Sequence, residues 1–278
     1  MNTQPMSPPR NILISLETIC DNRIALDRLA ELAALLQARL HGLYIEDEDL
    51  LAIADFPFTQ EVHQHAPTES VLDRKRLEQQ MRSVSSQAET LLAQAAKQWN
   101  VEWQFHRVRG KVTTELSKAA QQADIVSMLA GNRSSYRGRF LPREKAEIEQ
   151  VMVRPCVIFP PQITIGEEVI AVIDREQNLT RLLEPAHLIS RQGKRPVIVI
   201  LQTKDSDALH KQVEQFFAAH HLTPQILQLP LRELSELIAL LNRRSPHMVL
   251  IHADNPLLAD SAPETWARQL KSPVMLIR

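Results

Sequence analysis

Four arginines crowd one short stretch, residues 129–146, which reads LAGNRSSYRGRFLPREKA: Arg133, Arg137, Arg139 and Arg143. An apolar run, DIVSML, precedes it, and a helix pattern follows. A strand, a loop and a helix N-terminus in that order is a common place to hold a phosphate. Loops that do so with backbone N–H groups are rich in glycine, because the main chain must approach the anion. This loop has only Gly131 and Gly138, and the whole chain has 6 glycines. Arginine offers another solution, since its planar fork pairs with phosphate oxygens two at a time. The plain alternative is a solvated charge cluster, or arginines paired with acids elsewhere in the chain.

Other residues with chemical potential are scattered. His63 and His65 stand two apart near Glu61 and Glu69. On an extended segment they point the same way and could share a metal, but one pair without cysteine reads as an exposed polar loop, so no metal site is expected. His220 and His221 end a helix pattern, where an imidazolium suits the dipole. His252 ends an apolar run and could move a proton, yet no nucleophile lies near it in sequence. Cys156 opens an apolar strand, which points to packing rather than reactivity. No acid, base and nucleophile assemble into a set, so no catalytic residue is assigned.

The elements that must position these residues alternate. Residues 11–16, 41–46, 101–108, 124–130 and 155–159 read as strands. Helix patterns fill 21–40, with Asp21 as a cap, 69–100, 113–122 and 142–153. A polar loop spans about 47–68. After PPQITIG (160–166) the pattern restarts: strands at 168–174, 196–201, 225–229, 247–253 and 273–277 alternate with helices at 177–192, 205–220, 233–243 and 263–270. Alternating units with continuous apolar strands predict parallel sheets covered by helices on both faces. The order repeats, and short words repeat with it: TELSKAA (114–120) matches RELSELI (232–238), and RPCVIF (154–159) matches SPVMLI (272–277). The domains are expected at 10–160 and 167–278, joined by a linker at 161–166.

Composition narrows the function classes. The 278 residues are 44% hydrophobic and 23% charged, with net charge −1, so no global positive field favours nucleic acid or an acidic membrane. Cys20 and Cys156 form no CxxC pair, which fits a reducing compartment. No run reaches about 18 apolar residues, and the N-terminus MNTQPMSPPR lacks a signal core. A cytoplasmic location is the expectation, with neither nucleic acid nor membrane as partner.

At residues 107–131, RVRGKVTTELSKAAQQADIVSMLAG, the chain resembles the universal stress proteins. Members typically show a strand there, then Gly and a polar turn, an amphipathic helix, Ala-Asp, and an apolar strand ending in Met-Gly. NILISLETICDNRIALDRLAELA resembles their first strand and helix, and RPCVIF their last strand. The resemblance covers two copies, and is closer in the first than in the second. It implies an α/β fold of two tandem five-stranded parallel-sheet domains, each in the order 3-2-1-4-5. It also implies an internal pseudo-dimer of the two domains, paired as single-copy members pair through their fifth strands. A further homodimer and an unidentified protein partner stay open.

That strand order puts ligands at the carboxyl ends of strands one and four, where the connections diverge. The residues there are Glu17, Thr18 and 131–134 in the first copy, and Asp174, Arg175 and 253–256 in the second. ATP-binding members carry Gly-x2-Gly-x9-Gly-(Ser/Thr) after strand four. Started at Gly131, the pattern meets Ser134, Glu144 and Lys145; started at Ala253 it meets Pro256, Trp266 and Ala267. Where the family's first strand usually ends in an Asp that contacts the nucleoside, the first copy has Glu17 and the second keeps Asp174. The candidate ligand-binding set is therefore Glu17, Gly131, Arg133, Ser134, Arg137, Arg139, Lys145 and Asp174. The indole of Trp266 is expected to fill the second pocket. Together with the resemblance, which implies the stress-response role, these departures lead to the expectation of a non-catalytic regulator with degenerate nucleotide sites and no required cofactor. Two alternatives remain: binding of ATP or another adenine nucleotide through the arginine-rich loop, and a nucleotidyl-transferring enzyme of related fold.

Overall fold

The computed structural model describes residues 11–16, 22–56, 60–62, 69–71, 73–130, 154–164, 166–202, 207–259 and 261–278. Lobe 1 runs β1 (Asn11–Ser15), α1 (Arg23–Leu36), β2 (Arg39–Asp47), α2 (Glu48–Ala54), β3 (Gln60–Val62), β4 (Glu69–Val71), α3 (Arg74–Gln98), β5 (Trp103–Gly110), α4 (Val112–Gln122), β6 (Ile125–Leu129) and β7 (Cys156–Phe159). Lobe 2 runs β8 (Val169–Ile173), a 3-10 turn (Glu176–Asn178), α5 (Leu179–Gly193), β9 (Val197–Leu201), α6 (Asp207–Ala219), β10 (Gln225–Gln228), α7 (Leu234–Arg244), β11 (Met248–His252), a 3-10 turn (Pro256–Leu258), α8 (Pro263–Ala267) and β12 (Val274–Ile277).

One 10-stranded sheet crosses both lobes in the order β10-β9-β8-β11-β12-β7-β6-β1-β2-β5. Each half therefore has the expected order 3-2-1-4-5. Neighbours within a half are parallel, while β7 and β12, the fifth strand of each half, pair antiparallel with Val157 opposite Met275. Strands such as VIAVI and VIVIL are buried on both faces, as a covered parallel sheet demands. Alternate residues feed two cores. Val169, Ala171 and Ile173 join Leu29, Leu92, Leu182 and Phe217 under α1, α3, α5 and α6. Ile170 and Val172 join Leu116, Leu237 and Trp266 under α4, α7 and α8.

The repeat is visible in the backbone. Ala38 N–H donates to Ala33 O in lobe 1 as Arg195 N–H donates to Ser190 O in lobe 2. Val101 to Ala96 is matched by Leu222 to Phe217, and Ala130 to Phe159 by Ala253 to Ile277. The last match corrects the alignment by one residue: Ala253 corresponds to Ala130, so Asp254 stands in the place of Gly131. Helix ends repeat as well. Gln37 and Lys194 adopt left-handed φ of 54° and 52° after α1 and α5, and Asn100 and His221 do so near the ends of α3 and α6. Glycine usually fills such caps; its scarcity here leaves them to side chains that tolerate the conformation less well.

Several boundaries differ from the sequence reading. Asn22, not Asp21, caps α1, accepting from Ala25 N–H at 3.0 Å. The long helix starts at Arg74 because Asp73 caps it through Lys75 N–H, and residues 69–71 form a strand instead. The segment read as a loop holds α2, capped by Asp47, and the strand β3 paired with β4. The predicted helix over 142–153 lies outside the described residues.

Gly166 shows how closely the entry to lobe 2 is packed. A Cβ there would lie 1.6 Å from the backbone oxygen of Ser245, and a carbonyl held in a helix cap has little freedom to retreat. Gly166→Ala is expected to destabilise the chain by about 1–3 kcal/mol, as overpacking does. A melting temperature equal to that of the native chain would show that the backbone there yields freely.

Candidate functional site

Lobe 2 carries the one site candidate that falls among the described residues. Asp174 follows β8, and its side chain is only 6% exposed. One carboxylate oxygen accepts from Arg175 Nε at 2.7 Å and the other from Asn178 Nδ2 at 2.9 Å. Arg175 also donates from Nη2 to the backbone oxygen of Asp254 at 3.4 Å. The 3-10 turn before α5 exists to deliver Asn178, which is buried, back to the strand end.

His252 ends β11, the strand beside β8. Its Nδ1 accepts from the backbone N–H of Asp254 at 3.2 Å, which places the proton of the neutral ring on Nε2. Burial, reinforced by Arg181 and Arg175, pulls its pKa below the usual imidazole value despite Asp254 and Asp174. Nε2 is buried and makes no hydrogen bond. Asn255 closes the group. Its Oδ1 accepts from Leu257 N–H at 3.0 Å, capping the second 3-10 turn, and its Nδ2 donates to Gln202 Oε1 at 2.8 Å. Gln202 follows β9, so this bond passes over the carboxyl end of β8, which lies between β9 and β11.

The arrangement is a polar plug. Asp174 already has two donors, and the position after β11 is spanned by Asn255. Trp266 is buried within the core under α8. The neutral His252 could relay a proton, but among the described residues no serine, threonine or cysteine hydroxyl or thiol stands among its hydrogen-bond partners. Cys156 is no nucleophile, since burial pushes its thiol up to about 12. Among the described residues no group of three His, Cys, Asp or Glu side chains could hold a metal ion.

Of the predicted site residues, Asp174 is in place at the carboxyl end of β8. Glu17, Gly131, Arg133, Ser134, Arg137, Arg139 and Lys145 lie outside the described residues, as do His63 and His65. Because β7 and β12 are antiparallel, Asp174 sits at the opposite end of the sheet from the carboxyl ends of β1 and β6. His220 stacks on the buried His187, with centroids 4.1 Å apart, an arrangement the helix-end reading did not foresee. Sequence reasoning also missed Asn178 and Gln202; it placed Asn255 at the switch point, within 253–256, but gave it no partner. Gln202 had a signal: it is the first residue after a strand adjacent to the switch point.

No family model matches the sequence, and no curated protein matches it. Solved structures do. A universal stress protein from Archaeoglobus fulgidus superposes with a TM-score of 0.66 at 14% identity, covering 96% of this chain and 98% of that one. A functionally unknown protein from Pseudomonas aeruginosa gives a TM-score of 0.59 at 14% identity, covering 97% of this chain and 92% of that one. With the strand order 3-2-1-4-5 in each half, this likeness identifies the fold of the chain as that of the universal stress proteins.

Proposed function

We propose that the chain is a stress-response regulator of the universal stress type that acts by binding and not by catalysis, in the cytoplasm, without a nucleotide in lobe 2. One observation carries the reading: the crevice between β8 and β11 is occupied by the chain's own polar side chains. Asp174 is held by Arg175 and Asn178, and Asn255 bonds to Gln202 across the strand end. A nucleoside entering there must break these bonds and replace each of them, because a buried polar group left unpaired costs about 1–3 kcal/mol. The absence of the glycine pattern after β11 supports the same view. Among the described residues no helix is long and apolar enough to cross a membrane.

A second reading keeps nucleotide binding in lobe 1, and the cluster of Arg133, Arg137, Arg139 and Arg143 is what favours it. One titration separates the two. Calorimetry of ATP into the purified chain is expected to show no binding at tens of micromolar. Binding that Arg137→Ala with Arg139→Ala abolishes would establish the second reading instead. Binding that survives this pair but falls with Asp174→Ala would overturn the closed crevice of lobe 2.

A further inference from the structure

Among the described residues the two lobes meet where β7 pairs with β12 and where α1 packs on α5 over one face of the sheet. The strands alone cannot discriminate partners. CVIF and VMLI are both apolar, and their backbone bonds would form equally well between two copies of either. The helix side of the join is different. Glu31 of α1 is 3% exposed. Its Oε1 accepts from Arg195 of lobe 2, and its Oε2 from Arg28 of its own helix. His247 of lobe 2, 5% exposed, brings Nε2 to 3.9 Å from Oε2.

The repeat makes the asymmetry of this cluster explicit. Arg195 N–H bonds to Ser190 O as Ala38 N–H bonds to Ala33 O, so lobe 1 has alanine where lobe 2 has Arg195. His247 N–H bonds to Glu168 O as Asp124 N–H bonds to Asn11 O, so lobe 1 has an acid where lobe 2 has His247. Counted from the left-handed caps Gln37 and Lys194, the place of Glu31 in lobe 2 is taken by Leu188. Lobe 1 offers the acid with its own Arg28, and lobe 2 the second cation and the imidazole.

We propose that Glu31, Arg195 and His247 form a matching key that admits lobe 2 as the partner of lobe 1 and rejects a second copy of either. Two lobes 1 brought together by the same geometry would set Glu31 against Ala38 and Asp124, leaving Oε1 bare beside another acid. Two lobes 2 would set Arg195 against Leu188, a cation without a counter-charge. Burying a charge short of its partners is unfavourable, so each wrong pairing is penalised while the right one is satisfied. The key keeps an apolar, backbone-paired join from capturing other copies of the chain.

The test uses the full chain. Glu31→Arg and Arg195→Glu, each alone, bury like charges; together they restore one acid, two arginines and His247 with the signs exchanged. Amide exchange in β7 and β12, referred to β9 in the same sample, reads the join and not the fold as a whole. Each single variant is expected to speed exchange at the join at least tenfold, and the double variant to return it to within threefold of the native chain. A second arm removes the charges: Glu31→Leu with Arg195→Leu is expected to keep the join protected but to raise the mass-average size with concentration, above the native chain measured alongside. The proposal is overturned if the single variants leave the join protected, if the double variant is as open as the singles combined, or if the apolar variant associates no more than the native chain. Should either reversal fail to fold, Glu31→Gln gives the milder comparison, with a smaller acceleration confined to the same strands.

Discussion

Glu31→Ala is expected to lower the stability of the chain by about 3 kcal/mol, near the bottom of the range for truncating one partner of a buried ion pair. The low end applies because the arginines left behind, at 16% and 17% exposure, retain some access to water. The buried carboxylate is held by Arg28 on its own helix and by Arg195 from the other lobe, so its loss strands two guanidinium groups at once. A surface pair provides the contrast. Glu115 and Lys118 are 2.7 Å apart, but the lysine is 65% exposed. Glu115→Ala should therefore cost no more than about 1 kcal/mol, since water screens the pair and replaces it. Urea unfolding of both variants decides the matter. Equal, small losses would mean that the Glu31 cluster is no more than another solvated pair.

Glu31 also shows where sequence reading stops. The alternation of strands and helices was legible because EVIAVID, PVIVIL and HMVLIHA carry the continuous apolar runs of covered parallel strands. The 3-2-1-4-5 order came from the resemblance, not from periodicity. An acid among Leu29, Ala30, Leu32 and Ala33, three residues after Arg28, reads as an ordinary helix-surface pair, and its partner in the other lobe lies 164 residues away. Nothing local marks its burial. The helix read as starting at Glu69 failed for a local reason. Apolar spacing ran on through Leu72 and Leu77, while Asp73, the residue able to cap, marked the true start. The place of Asp174 at the carboxyl end of a strand was legible, since it closes the apolar run EVIAVID. The bonds around it were not, because Asn178, Gln202 and Asn255 come from three separate connections that only the folded sheet brings together, although 253–256 was placed at the switch point. The one-residue slip at the fourth strand had the same origin: Gly131 and Ala253 look alike in sequence, and only the bonds of Ala130 and Ala253 to the fifth strands fix the register.

The same cluster sets an acid limit on stability. Burial drives the pKa of His247 down from 6.5 to about 4; Arg195 and Arg28 push in the same direction, while Glu31 and the hydrogen bond to the Gly166 backbone oppose them. Unfolding releases the ring to its ordinary value, so between pH 6.5 and 4 the unfolded chain binds the extra proton. The contribution of neutral His247 is therefore complete above pH 6.5, shrinks as the pH falls, and is gone near pH 4. That loss amounts to about 3 kcal/mol, from about 1.4 kcal/mol for each unit of displacement. His187, His41 and His252 are displaced downward as well, chiefly by burial, and add to the slope in the same window. His247→Asn isolates the share of one residue. Asparagine keeps a side-chain donor near the Gly166 carbonyl but cannot take up a proton. Urea unfolding at pH 7.5 and 4.5 should show a drop for the native chain that is about 2–3 kcal/mol larger than for the variant. Parallel drops would mean that the imidazole already reaches water in the folded chain, and with it that the join between the lobes is looser than the burial of Glu31 and His247 requires.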